Sequence, residues 1–398
     1  MSIKLNYLVV ALAGLLISCN EEASTVESYF GFDIEKRELD RYLQDEMARL
    51  GIPGMAVAFI NDGRVVHHQA FGWANLQEKT PVTDQTIFEG ASISKSVFAY
   101  FVMTYVEEGL LDLDTPLYTY WSYPDIAHDE RYKKITARMA LSHQTGFPNW
   151  RGDLPENRLT IAFEPGTGFL YSGEGYQFLA EVLRHLEDTN WAGLEQRFQE
   201  KVAGPLGMEH TTFIQDAYCI ANKAAPYDEN GEWVSPDKSF DSLFRHQFVA
   251  AASIHSEPLD FSKWLVALMN KQGLSQKSFE ELFKVHAYVA EYGGIDVDYT
   301  LGFYIARLPF ASIYTHGGNN EGFTSWLAVD PDKGWGFVLF TNSEYGEELG
   351  GYLTLDMLFG PNPMALYTII AVLVLGIALV LWTAGRRIVK GLQAGGPK

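Results

Sequence analysis

The chain has 398 residues, 47% hydrophobic and 20% charged, which is the balance of a globular protein with room for a large core and one or two domains. Its formal charge of −20 argues against nucleic-acid binding, which needs clustered Lys and Arg. With only Cys19 and Cys219 there is no disulfide framework, no Cys/His set has zinc spacing, and no metal site is expected.

From the N-terminus, Lys4 precedes an apolar run from Leu8 to Ile17, the pattern of a secretory signal. Leu16-Ile17-Ser18-Cys19 resembles a bacterial lipobox, in which the cysteine is lipidated; an ordinary signal peptide or an uncleaved anchor is the alternative. Residues 1–19 are read as that signal and 20–30 as a polar tether. Glu35 to Leu50 has the period of an amphipathic helix and stops at Gly51-Ile52-Pro53-Gly54. Met55–Ile60 and Arg64–Phe71 read as strands joined by the hairpin signal Asn61-Asp62-Gly63. His67 and His68, adjacent in a strand, point to opposite faces and make no metal pair. Gly72 to Thr86 reads as loop.

Ser92-Ile93-Ser94-Lys95 then opens a helix without a charge between Lys95 and Glu107, and Gly109 stops it. A helix apolar on nearly every face is a buried one, so its lysine needs a partner or a function. Residues three apart share a helix face, which brings the Lys95 amine to the Ser92 hydroxyl. A serine at a helix N-terminus has free N–H groups beside it, the setting for a nucleophile and an oxyanion; the bland reading is a helix cap and a snorkelling lysine.

From Leu110 to about Gly294 the period is mainly helical, with Thr136–Leu141, Tyr176–Leu186, Trp191–Val202 and Leu259–Met269 as helices. Strand character returns at Leu301–Leu308, Ser312–His316, Phe323–Val329 and Gly336–Thr341, and Glu347–Phe359 reads as a closing helix. After Pro361-Asn362-Pro363, Met364 to Trp382 carries no charge and is followed by Arg386, Arg387 and Lys390, the pattern of a transmembrane helix over 364–383 with a cytoplasmic tail at 384–398. Strands at both ends with helices between predict an α+β fold: an antiparallel sheet flanked by N- and C-terminal helices, plus a helical lobe. The catalytic domain would span 31–360, its sheet lobe about 31–90 and 295–360 and its helical lobe about 91–294, with the Ser92 helix at the junction.

Three separated pieces carry the chemistry: Ser92-x-x-Lys95; Tyr171-Ser172-Gly173 after Glu164-Pro165-Gly166; and His316-Gly317-Gly318 before Asn319. Together with Leu141-Ser142-His143-Gln144-Thr145-Gly146 and Pro205-Leu206-Gly207-Met208, this set resembles the penicillin-recognising serine hydrolases: class C β-lactamases, D-alanyl-D-alanine carboxypeptidases and related esterases. The resemblance runs from about Ile52 to Ser343. It implies a β-lactamase/transpeptidase-like fold, Ser92 as the acylated nucleophile, Lys95 and Tyr171 as its proton acceptors, the Ser92 and Asn319 amides as oxyanion hole, and His316, Gly317 and Gly318 against the substrate. An ammonium at Lys95 would lower the Tyr171 phenol and ready it as a base.

Two positions depart from the family pattern. Gly173 stands where an asparagine belongs, and His316 replaces a lysine. A neutral imidazole is a poorer partner than an ammonium for a substrate carboxylate, so both changes favour an esterase or D-peptidase-like activity over a β-lactamase. The His-Gly-Gly triplet follows Ser92 rather than preceding it, and no G-x-S-x-G elbow is present, which sets the α/β-hydrolase fold aside. The expectation is a serine hydrolase of the bacterial cell envelope, membrane-anchored with its catalytic domain exported, acting without cofactor on a small-molecule or peptide substrate. The rivals are a β-lactamase and a non-catalytic cell-wall or partner-binding module.

Overall fold

A computed structural model describes residues 24–235, 241–292, 294–308 and 310–361. The expected signal, Cys19 and the apolar run over 364–383 lie outside the described residues. Among those described, no helix is long and apolar enough to cross a membrane.

Strands β1 (Thr25–Glu27) and β2 (Asp33–Glu35) pair ahead of helix α1 (Lys36–Leu50), which Gly51 closes in the left-handed conformation at φ 70°. The expected hairpin forms from β3 (Gly54–Asn61) and β4 (Arg64–Asn75), with Asp62 and Gly63 both at positive φ. Short strands β5 (Thr80–Pro81) and β6 (Phe88–Ala91) follow; β6 pairs with the distant β7 (Ile254–Ser256). The C-terminal part supplies β8 (Ala287–Tyr292), β9 (Ile295–Tyr299), β10 (Tyr304–Ala306), β11 (Tyr314–Asn320), β12 (Phe323–Asp330) and β13 (Trp335–Thr341). Nine of these make one antiparallel sheet in the order β5-β4-β3-β13-β12-β11-β10-β9-β8.

Alternation along β3 assigns its two faces. Met55, Val57 and Phe59 meet Leu39, Leu43 and Met47 of α1 and Leu349, Leu353 and Met357 of the C-terminal helix Gly346–Phe359. Ala56, Ala58 and Ile60 meet the helical lobe through α2 (Ser94–Glu107) and the helix Pro258–Met269. Because both faces are covered, these strands read as continuous apolar runs.

The structure departs from expectation where pairing outweighs local pattern. The sheet resumes at Ala287, ahead of 295, because Ile295-Asp296-Val297-Asp298-Tyr299 alternates as a half-buried strand and pairs with β8. β7 lies inside the stretch read as helical, β4 and β5 take up the start and a short middle part of the expected loop 72–86, and the strand expected over Leu301–Leu308 contracts to β10.

Helix α2 runs through the middle of the molecule. Phe101 is fully buried and packs edge-on against Phe98, Tyr105 and Phe198 and at a tilt against Phe248. Phe101→Ala is expected to cost about 3–5 kcal/mol of unfolding free energy, read from urea midpoints; a loss below about 1 kcal/mol would show that the lobe collapses around the cavity.

Candidate active site

Ser92 sits in a turn between β6 and α2, two residues ahead of the first helical residue, Ser94. It is therefore not the helix cap. Ala91 turns the chain at φ 46°, a left-handed conformation unfavourable for a residue with a Cβ, and is fully buried. The surroundings hold that turn: the Ser94 hydroxyl donates to the Ala91 carbonyl at 2.5 Å and accepts from the Ile254 amide at 2.9 Å, and the Ser325 hydroxyl donates to the Gly90 carbonyl at 2.6 Å. Beneath it, buried Glu89 takes Lys223 at 2.6 Å and the Asn320 amide at 2.5 Å, tying β6 to β11.

The three expected pieces come together. Lys95 Nζ donates to Ser92 Oγ at 3.0 Å and to the Ala251 carbonyl at 2.9 Å. It also lies 4.5 Å from the centre of the Tyr171 ring and 5.8 Å from that of Tyr176. Among the described residues no carboxylate is within ion-pair reach of this amine. Burial therefore lowers the Lys95 pKa well below its usual value. Burial pushes the Tyr171 phenol well above its usual value, against the opposing pull of a hydrogen bond with Ser92. This corrects the expectation for the phenol: its pKa is raised rather than lowered, and burial pushes both groups toward their uncharged forms.

His316 is buried on β11. Its Nδ1 donates to the Gly317 carbonyl at 2.6 Å, which leaves Nε2 to accept from the Tyr299 hydroxyl at 3.1 Å. Burial first, and the nearby Lys95 second, bring its pKa down to about 3, so the imidazole is neutral. The two glycines beside it have separate roles. A Cβ on Gly318 would stand 2.7 Å from the Ser92 nitrogen and 2.5 Å from the Gly90 carbonyl, so only glycine lets β11 approach the Ser92 turn. A Cβ on Gly317 would meet Glu347 at 2.6 Å and the Trp326 ring at 3.0 Å.

Ser92, Tyr171, His316, Gly317 and Asn319 line one cleft of roughly 470 Å³, open to solvent between the sheet and the helical lobe. Its remaining walls include Tyr304, Trp326 and Glu347, none of which the sequence reading singled out. β10 pairs only with Tyr314 and Thr315, so β11 from His316 onward has no β10 partner on the cleft side.

Gly173 also has a spatial cause. It opens the helix Gly173–Leu186, capped by the Ser172 hydroxyl. A Cβ there would lie 2.8 Å from the Trp150 ring and 3.0 Å from the Asn149 carbonyl. Arg151 fixes that loop through Glu174 at 2.7 Å, with Asp125 and Tyr123 as further partners. Trp150 thus fills the space an asparagine would need.

His143, noted in sequence only as part of a landmark, is fully buried at φ 60° and packs 4.4 Å from the Tyr171 ring. Its Nδ1 accepts the Ser172 amide at 3.0 Å; its Nε2 has no partner among the described residues. Burial, Lys95 and His316 lower its pKa. Away from the cleft, His210, Glu257 and Asp260 bring ligand atoms within 4.8 Å of one another, the one metal-like grouping among the described residues. Asp260 already accepts from the Glu209 and His210 amides, Thr211 and Lys263, so its lone pairs are spent.

A family model described as Beta-lactamase matches residues 39–358. Protein flp of Staphylococcus aureus (strain MW2) is 21% identical over 80% of this chain and 66% of its own length. Unguisins hydrolase ungD of Aspergillus violaceofuscus is 25% identical over 79% of this chain and 62% of its own, and penicillin-binding protein 4* of Bacillus subtilis 24% over 72% and 67%. The chain thus spans just under two thirds of the first two relatives. The octameric penicillin-binding protein homologue from Pyrococcus abyssi superposes with a TM-score of 0.65 at 23% identity, over 79% of this chain and 77% of that one, a likeness of fold.

Two predictions follow from the packing. Unfolded, His316 titrates near 6.5, whereas folded it titrates at about 3. Its contribution to stability is therefore complete above 6.5 and lost as pH falls toward 3, at up to about 1.4 kcal/mol per pH unit. Unfolding free energy measured from pH 7 to 4 should fall less steeply for His316→Gln than for the parent; equal slopes would mean the folded imidazole is already charged. Gly173→Asn should cost about 1–3 kcal/mol by overpacking, and much of that cost should vanish when Trp150→Ala is present, read as the coupling in a double-mutant cycle.

Proposed function

This chain belongs to the Beta-lactamase family, and on that premise we propose that it is a serine hydrolase that works through an acyl-enzyme on an ester or amide carbonyl. The observation that carries the proposal is the buried Lys95 amine, 3.0 Å from Ser92 Oγ with no acid beside it. An amine whose pKa burial lowers gives up its proton more readily, and in its neutral form it can take the serine proton directly. Ser92 Oγ then bonds to the carbonyl carbon, and the negative charge moves to the carbonyl oxygen, where the Ser92 and Asn319 amides receive it. Expulsion of the leaving group needs a proton at its departing atom. Tyr171, a protonated phenol bordering Ser92 and Lys95, hands over its own proton and takes the one held by Lys95. Water, activated in reverse, frees the acid and restores Ser92.

Esters and peptides fit better than β-lactams. The neutral, tethered His316 offers no cation to a substrate carboxylate, and Gly173 offers no amide to the carbonyl. The relatives include a protein named as a hydrolase of unguisins and one named as a penicillin-binding protein, so the family accommodates more than one substrate class. We further propose, from the lipobox-like Cys19 and the uncharged run 364–382, that the catalytic body is held at the outer side of a bacterial membrane. Recovery in the membrane fraction that survives Cys19→Ala and is lost on deleting 362–398 would identify the C-terminal run as sufficient.

Ser92→Ala is expected to abolish labelling by a fluorophosphonate and all turnover of short acyl esters, with the fold retained by circular dichroism. Turnover in the parent should fall on acidification, as Lys95 gains its proton. Labelling that persists in Ser92→Ala would remove the mechanism; a parent that never labels would favour the binding-module reading.

A further inference from the structure

Glu347 is the only acidic residue among those that line the cleft, and its carboxylate has no hydrogen bond or ion pair among the described residues. It stands over Gly317, where a Cβ would come within 2.6 Å of its Oε1, next to Trp326. It acts on the Tyr171 phenol, whose proton it helps retain. Burial first, and Glu344 second, raise its own pKa, which is the cost of a carboxylate facing the cleft without a cation. Position in the first turn of the helix Gly346–Phe359 favours an acid there, but does not account for its direction. Glu348, one residue on, points to solvent and reaches Arg49 at 4.0 Å.

No fixed cation opposes Glu347 on the cleft wall. His316 is neutral, and Lys95 is buried beneath Ser92 with its donors committed. Glu347 and the Trp326 ring both reach the space above Gly317, and Tyr304 lines the same cleft. A carboxylate beside an aromatic ring suits an ammonium, which gains an ion pair and a ring contact together. A substrate carboxylate would meet repulsion at the same place.

We propose that Glu347 is a specificity residue that selects substrates bearing an ammonium group near the scissile carbonyl, such as aminoacyl esters or amides with a free amine, and rejects those bearing a carboxylate. This rests on Ser92 being the nucleophile, as proposed above. Glu347 touches the substrate's charge and takes no part in bond making.

The test is the rate of covalent labelling by three p-nitrophenyl phosphonate esters that differ only in a terminal ammonium, methyl or carboxylate group. In each, Ser92 Oγ forms the P–O bond, p-nitrophenolate leaves and is counted by absorbance. The ammonium probe is expected to label the parent about tenfold faster than the methyl probe and the carboxylate probe more slowly than both. In Glu347→Gln the ammonium-to-carboxylate ratio should collapse toward one, and in Glu347→Lys it should invert, while Glu348→Gln keeps the parent order. A parent that labels at equal rates with all three overturns the proposal, as does a Glu348→Gln variant that changes the ratio as much as Glu347→Gln, since the selectivity would then belong to the overall negative charge. Absence of labelling by any probe would instead overturn the nucleophile assignment.

Discussion

The structure turns on an amine placed where an ammonium is expensive. Lys95 sits inside a helix that is apolar all round, and its contacts are a hydroxyl, a carbonyl and two aromatic faces. A carboxylate at the same place would keep the lysine charged and leave it unable to accept a proton. The surroundings supply enough polar contact to keep the chain in position and too little to stabilise the charge. The same desolvation reaches Tyr171, His143 and His316, so each of these groups is pushed toward its uncharged form. Proton transfer between Ser92, Lys95 and Tyr171 need not separate charge across a large distance, because the serine hydroxyl borders both other groups.

That arrangement requires backbone positions that side chains alone could not secure. Ala91 bears a left-handed turn, and the hydroxyls of Ser94 and of the distant Ser325, with the Ile254 amide, hold the loop around it. Gly318 lets β11 press against the Ser92 amide at a spacing closed to any other residue. β10 stops short, leaving the following part of β11 unpaired toward the cleft. An extended substrate can align along this free edge, with Gly317 and Asn319 beside it.

Much of this was readable from residues alone. The spacing of Ser92 and Lys95 gave their contact, the hairpin residues Asp62 and Gly63 gave β3 and β4, and the uncharged run gave a buried helix. What stayed hidden depended on partners far away in the chain. Glu347 is an ordinary first-turn acid until the sheet places it over Gly317. Trp150 is an ordinary loop aromatic until it fills the space above Gly173. The strand β9 was missed because its aspartates fall on alternate positions, which a search for apolar runs passes over, and β8 because its short apolar run was taken into the preceding helical stretch. The direction of the Tyr171 shift was misjudged because the phenol's own burial, which a lone tyrosine in sequence does not reveal, outweighs the pull of its neighbours.

The two departures from the family pattern are consequently coupled to their surroundings rather than isolated losses. A lysine at 316 would place a second cation near Lys95 in a site that already cannot solvate one. Histidine avoids this by accepting from Tyr299 and donating to its own strand, which leaves it uncharged and leaves the cleft without a cation for substrate. With no cation there, a carboxylate at 347 is not neutralised and projects its field into the cleft. At 173, loss of the amide removes a polar contact to Lys95, and the Ala251 carbonyl takes up an amine proton at 2.9 Å instead. Each substitution thus removes charge or polarity near the nucleophile, and the cleft that remains carries one carboxylate among uncharged polar, aromatic and aliphatic walls.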